Sequence, residues 1–212
     1  MRLFEAAHVF KYDWDMVSQA HWRKYPNEKT PHVRHVEILN QDVDPSTGVL
    51  RTERLIMVRQ SVPLAVRKIF GGDASYVLEY SEVDPEQKTL TIQSQNLTYS
   101  NLLSVGEHIV YRPHAEDRAH TVFTQSAQLK ASGALFRLAT KIEDMCWARF
   151  HDNAQIGRLG LEQVLSKILA ERQALTTVAQ APPPVNATAG VSYLRGKEEL
   201  AFSSWKELGR SN

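Results

Sequence analysis

The chain has 212 residues, of which 42% are hydrophobic and 23% charged, enough to bury one sizeable core with an appendage. A formal net charge of +1 gives no overall attraction to nucleic acid, and the single cysteine, Cys146, excludes a disulfide framework and a multi-cysteine zinc site. No apolar run approaches membrane-spanning length, and Met1 to Phe10 has neither a signal peptide's apolar centre nor the Arg/Ser-rich character of a transit peptide.

In chain order, Arg2 to Phe10 reads as a strand, and Asp13 caps a helix that begins at Trp14 and ends before Tyr25-Pro26-Asn27. Trp14, Val17, Ala20 and His21 share one face of that helix. Strands are predicted over Arg34 to Val43, Val49 to Gln60, Ser75 to Val83, Thr89 to Leu97, Leu102 to Arg112 and His120 to Lys130. In the fifth of these seven strands, Leu90, Ile92, Ser94 and Asn96 face one way and Thr89, Thr91, Gln93 and Gln95 the other. Polar positions on both faces point to a surface that is not wholly a dry core. From about Leu135 to Arg172 a helical stripe runs without proline: Leu138, Ile142, Met145, Phe150, Ile156, Leu159, Val164, Ile168 and Leu169. Gly157 and Gly160 in it allow a bend or the close approach of another segment.

An antiparallel meander of about seven strands followed by one long helix predicts an α+β architecture, a curved sheet wrapped around the helix with a cavity between them. The connection "SVPLAVRKIFGG", Ser61 to Gly72, is unusually apolar for a loop. It reads as a lid over that cavity. Val62, Leu64, Val66, Ile69 and Phe70 supply apolar contact, Arg67 and Lys68 meet an anionic membrane surface, and Gly71-Gly72 forms a hinge. The alternative is a loop packed permanently on the core. Residues 173–212 read as a flexible Pro/Ala-rich linker and tail, with a short helix presenting Leu200, Trp205 and Leu208.

No catalytic motif stands out. His32 and His35 have no third metal ligand at motif spacing and read as surface or pocket histidines. Cys146, beside Met145, reads as a buried thiol, Asp13 with Asp15 as helix-start charge, and Glu143 with Asp144 as a solvated face. Asn96-Leu97-Thr98 and Asn186-Ala187-Thr188 match the glycosylation triplet by chance. No metal, cofactor or covalent chemistry is predicted.

Four stretches carry a resemblance: "HWRKYPNEKTPHV", "LRTERLI", "YVLEYSEVDPEQKTLTIQSQNLTYSNLLSV" and "KIEDMCWARFHDNAQIGRLGLEQVL". Residues 1–172 resemble, in order, the PRELI/Ups family of phospholipid transfer proteins of the mitochondrial intermembrane space. "PNEKTPHV", "GVLRTERLIMVRQSVP" and "LTYSNLLSV" are similar to its slowmo-like branch, associated with phosphatidylserine. The resemblance implies a helix-grip (START-like) fold with a lipid-sized cavity, non-enzymatic lipid transfer, and the 61–72 segment as its mobile lid. It also implies residence in the intermembrane space and a partner, a small disulfide-stapled helical-hairpin protein.

Carried over by motif, Lys24, His32, Arg149 and Asn153 bind the lipid head group, offering cationic and hydrogen-bonding groups to a phosphodiester. Without the resemblance, Lys24 and Arg149 read as solvated charges and Asn153 as a helix-surface residue. Val58, Ser61 and Ile156 stand where the family's phosphatidic-acid carriers have lysines. A less basic cavity suits a head group bearing its own ammonium, which favours phosphatidylserine; phosphatidic acid in the same cavity is the alternative. An enzyme or a pure interaction module on the same fold completes the set of readings.

Overall fold

In a computed structural model of the protein, the described residues are 1–59, 74–132 and 139–180. The predicted lid and hinge (Val62, Leu64, Val66, Arg67, Lys68, Ile69, Phe70, Gly71 and Gly72) and residues 181–212 of the tail lie outside them. The chain divides into two units, Met1–Ala170 and Glu171–Asn212. The fold of the first unit, and the site within it, are the subject below.

Strand β1 (Arg2–Phe10) leads to helix α1 (Trp14–Trp22), followed by β2 (Val33–Val43), β3 (Leu50–Arg59), β4 (Ala74–Asp84), β5 (Thr89–Asn96), β6 (Leu103–Pro113) and β7 (Thr121–Ala131). Helix α2 (Ala139–Gln180) ends the described chain. The predicted strands match these bounds to within a residue, because their alternation and turns are local signals. Asp13 caps α1 as expected, its Oδ1 accepting from the Met16 amide at 2.8 Å. The long helix continues to Gln180, eight residues beyond the predicted end at Arg172. "QALTTVAQ" contains no breaker, and the next proline in the sequence is Pro182.

All strands pair antiparallel in one seven-stranded sheet of order β1-β7-β6-β5-β4-β3-β2. Six consecutive hairpin-linked strands form the meander. Helix α1 carries the chain from one edge, at β1, to the other, at β2. The main core joins Phe10, Leu90, Tyr111 and Phe123 of the sheet to Trp14 and Val17 of α1 and to Leu161, Leu165 and Ile168 of α2. Each fully buried leucine there contributes about 1.5–3 kcal/mol.

Three expectations about α2 are corrected. Leu159 and Leu169 are 56% and 38% exposed, whereas Leu161 and Leu165 are fully buried. At about 100° per residue, Leu159 lies half a turn round the helix from Phe150, and the buried face follows Phe150, Ala154, Leu161 and Leu165 instead. Glu143 is not solvated: it is buried and accepts the Ala131 amide at 2.9 Å, tying α2 to the end of β7.

Candidate functional site

Period-two alternation places Thr52, Arg54 and Ile56 of β3, Val77, Glu79 and Ser81 of β4, Ile92, Ser94 and Asn96 of β5, Val105, Glu107 and Ile109 of β6, and Phe123 and Gln125 of β7 on the sheet's inner face. Register then aligns the polar ones. Arg54 pairs with Glu79, Glu79 with Ser94, and Ser94 with Glu107, so a single polar row crosses four strands. On one side of it lies the packed core. On the other, Ile56, Val77, Val105 and Leu129 face Met145, Phe150 and Ala154 of α2 across a cavity of about 410 Å³, within the range of ligand pockets, roughly 300–1,000 Å³.

Lys24, His32, Arg149 and Asn153 all line this cavity. The first two come from the segment that joins α1 to β2, the others from successive turns of α2. The segment is fixed against the helix at two glycines. Asn27 Nδ2 donates to the Gly160 carbonyl at 3.0 Å, and a Cβ built on Gly157 would sit 3.5 Å from Lys24 Nζ. The glycines therefore serve close approach rather than a bend. Lys24 also lies over the Tyr25 ring, 5.3 Å from its centroid.

Electrostatics centre on Lys24. Burial, then the Lys24 charge, lowers His32 from its ordinary value and favours a neutral ring. Burial, then Arg54 and Lys24, holds His21 well below the usual histidine range. Neutral His21 accepts from Arg54 Nη2 at 2.7 Å, and Arg54 Nε donates to Glu79 Oε1 at 2.9 Å. The Arg54 guanidinium stands over the Trp22 ring at 5.0 Å. Glu107 keeps some accessible surface, but that surface faces the cavity; shielding from bulk water raises its carboxyl above the ordinary range, against Gln125, Ser94 and Lys24.

Sequence reading missed Glu107, Gln125 and Arg158, which also line the cavity. Arg158 Nη1 and Gln125 Oε1 are buried without a partner among the described residues. The inward alternation of β6 and β7 was the available signal for the first two. Other expectations hold in part. Val58 lines the cavity, as does Cys146, whose thiol burial pushes up. Asn96 is locked inward, accepting the Val105 amide at 2.7 Å and donating to the Leu103 carbonyl at 2.8 Å. His35 is exposed and outside the cavity. No group of histidine, cysteine and acidic residues among the described residues is placed to hold a metal ion.

A family model described as the PRELI-like family matches residues 15–172. "Protein UPS2, mitochondrial" of Saccharomyces cerevisiae is 44% identical over 167 residues, 78% of this chain and 73% of that protein. "UPS-like protein C36.10" of Schizosaccharomyces pombe is 43% identical over 169 residues, covering 79% of this chain and 91% of its own. "Protein slowmo homolog" of Dictyostelium discoideum is 35% identical over 174 residues, or 82% and 75%. Among solved structures, TTHA0849 of Thermus thermophilus matches with TM-score 0.53 at 14% identity, over 79% of this chain and 99% of that one. The Zhui aromatase/cyclase of a Streptomyces species matches with TM-score 0.51 at 18% identity, over 82% and 95%. At these identities the likeness concerns the fold alone, a helix-grip of the START-like type.

Proposed function

The chain belongs to the PRELI-like family, and we propose that it is a non-enzymatic phospholipid carrier working between mitochondrial membranes across the intermembrane space. The observation that carries this reading is the cavity between sheet and helix, apolar along Ile56, Val77, Val105, Leu129 and Phe150 and cationic at Lys24, Arg149 and Arg158. Acyl chains lie against the first set and a phosphate against the second. Lys24, Arg149 and Arg158 donate charge-assisted hydrogen bonds to the phosphate, and His32 and Asn153 complete its shell.

Phosphatidylserine is the proposed cargo. Val58, one of the positions where the resemblance places a lysine in phosphatidic-acid carriers, faces the cavity and lowers its positive charge. In the same proposal residues 61–72 cover the lipid in water and meet the anionic membrane surface, and a small disulfide-stapled helical hairpin binds and protects the domain. A mitochondrial setting follows the name of the yeast relative.

Purified protein should carry phospholipid detectable by mass spectrometry and move phosphatidylserine between vesicles unchanged, faster than phosphatidic acid. Chemical conversion of the lipid would indicate an enzyme. Faster movement of phosphatidic acid would reverse the cargo, and no bound or transferred lipid would overturn the carrier reading.

A further inference from the structure

Along the polar row, the acidic groups are satisfied unequally. Glu79 accepts from Arg54, a full counter-charge. Glu107, two strands away in the same row, accepts only neutral donors among the described residues: Ser94 Oγ at 3.0 Å and Gln125 Nε2. Its carboxylate has lone pairs left over on the cavity side. Beside it Gln125 is buried, and its Oε1 has no donor among the described residues. With Glu107 ionised, flipping the amide would set that oxygen against the carboxylate, so the hydrogen bond to Glu107 fixes its orientation.

A cavity-lining carboxylate with only neutral hydrogen-bond donors is a demand for an N–H donor that carries charge. The walls around it show the complementary pattern, with Lys24, Arg149 and Arg158 lining the same cavity. A ligand that satisfies both is anionic at one point and bears an ammonium at another. We infer that Glu107, positioned by Gln125, forms an acceptor subsite for a ligand ammonium, which selects an amino-bearing phospholipid head group over a bare phosphomonoester. This deepens, and rests on, the carrier reading above. Glu107 holds the ammonium by charge, and Gln125 and Ser94, which both donate to it, keep the carboxylate aimed inward. An ammonium there supplies the counter-charge that burial denies Glu107.

The test compares wild type, Glu107→Gln and Gln125→Leu, each shown to be folded by circular dichroism. Transfer is measured from vesicles containing phosphatidylserine or phosphatidic acid with identical acyl chains. Loss of one charge-assisted contact should lower phosphatidylserine transfer by Glu107→Gln about tenfold, while phosphatidic acid transfer, freed of one negative charge in the cavity, holds or rises, so their ratio falls at least about tenfold. Gln125→Leu should lower the same ratio by about threefold. Equal loss on both lipids, or no loss on either, overturns the subsite. If wild type moves neither lipid, the carrier reading fails, and the subsite is judged by thermal shift with glycerophosphoserine against glycerol 3-phosphate. Stabilisation by the first alone, abolished in Glu107→Gln, upholds it, and equal response to the two overturns it.

Discussion

Asn27 donates from Nδ2 to the carbonyl oxygen of Gly160 at 3.0 Å, and a Cβ on Gly160 would lie 3.3 Å from that same nitrogen. One residue of the segment after α1 is thus seated on a bare patch of α2, and Lys24 occupies the neighbouring patch at Gly157. The position of the cationic side chain in the cavity depends on the absence of two side chains on the helix.

This relationship separates two glycine-to-alanine variants. In a helix interior, alanine is favoured over glycine by about 0.5–1 kcal/mol. At Gly157 the new methyl meets Lys24 Nζ at 3.5 Å, an ordinary contact with the end of a flexible chain. Gly157→Ala should therefore raise the unfolding free energy by about 0.5–1 kcal/mol. At Gly160 the methyl presses on Asn27, whose amide is already committed. Gly160→Ala should gain nothing or lose up to about 1 kcal/mol, the scale of one hydrogen bond. Urea denaturation of both variants checks the difference, and an equal gain in both would mean that Asn27 yields freely.

The fold was largely legible because its signals are local. Alternation marked each strand, Asp13 marked the start of α1, and the segment containing Lys24 and Asn27 was visible as a helix stop. The site was legible only in part. Ser94 was seen to share a face with Ile92, but its alignment with Glu79 and Glu107 is set by pairing between strands distant in sequence. Periodicity along one strand carries no register. Glu143 illustrates the same limit: an acidic residue in a charged run looks solvated until the Ala131 amide is placed beside it. On α2, the contributions of Leu159 and Leu161 to the stripe are settled by which helix face meets the sheet, and a loosely apolar helix does not announce that face.

The stability linked to two histidines should fall as the pH drops below neutrality. His21 has a folded pKa well below its ordinary value, through burial first and then Arg54 and Lys24, and His32 is lowered by burial and Lys24. Below about pH 6.5 the unfolded chain binds protons that the folded protein refuses. The stability linked to these histidines is therefore complete above that pH and lost as pH falls toward the folded values. His21 contributes a slope of up to about 1.4 kcal/mol per pH unit in that window, and half-buried His32, screened by solvent, contributes less. His21→Gln keeps an acceptor for Arg54 and removes the titration, so its stability curve from pH 7 to 5 should be flatter than that of wild type. Parallel curves would show that His21 takes up its proton as readily in the folded state as in the unfolded.

Lys24 and Arg158 should respond differently to removal, although both line the cavity. Lys24 lies over Tyr25 and beside Gly157, and its loss removes one charge that offsets the shielding of Glu107 while relieving the charge that opposes protonation of His21 and His32. Lys24→Ala should lower lipid transfer at least tenfold, since a desolvated charge-assisted hydrogen bond contributes roughly 1.5–3 kcal/mol, and the melting temperature should hardly change. Arg158 carries a buried Nη1 with no partner among the described residues, and it shares the cavity with two further cations, Lys24 and Arg149. Both features destabilise the lipid-free protein, and a bound phosphate relieves the second. Arg158→Met, which keeps the apolar stem, should therefore lower transfer at least tenfold while the melting temperature of lipid-free protein stays level or rises. Adding phosphatidylserine should stabilise wild type more than this variant. A variant that melts lower than wild type without lipid, and transfers lipid as well when folded, would make Arg158 a packing residue and leave the phosphate to Lys24 and Arg149.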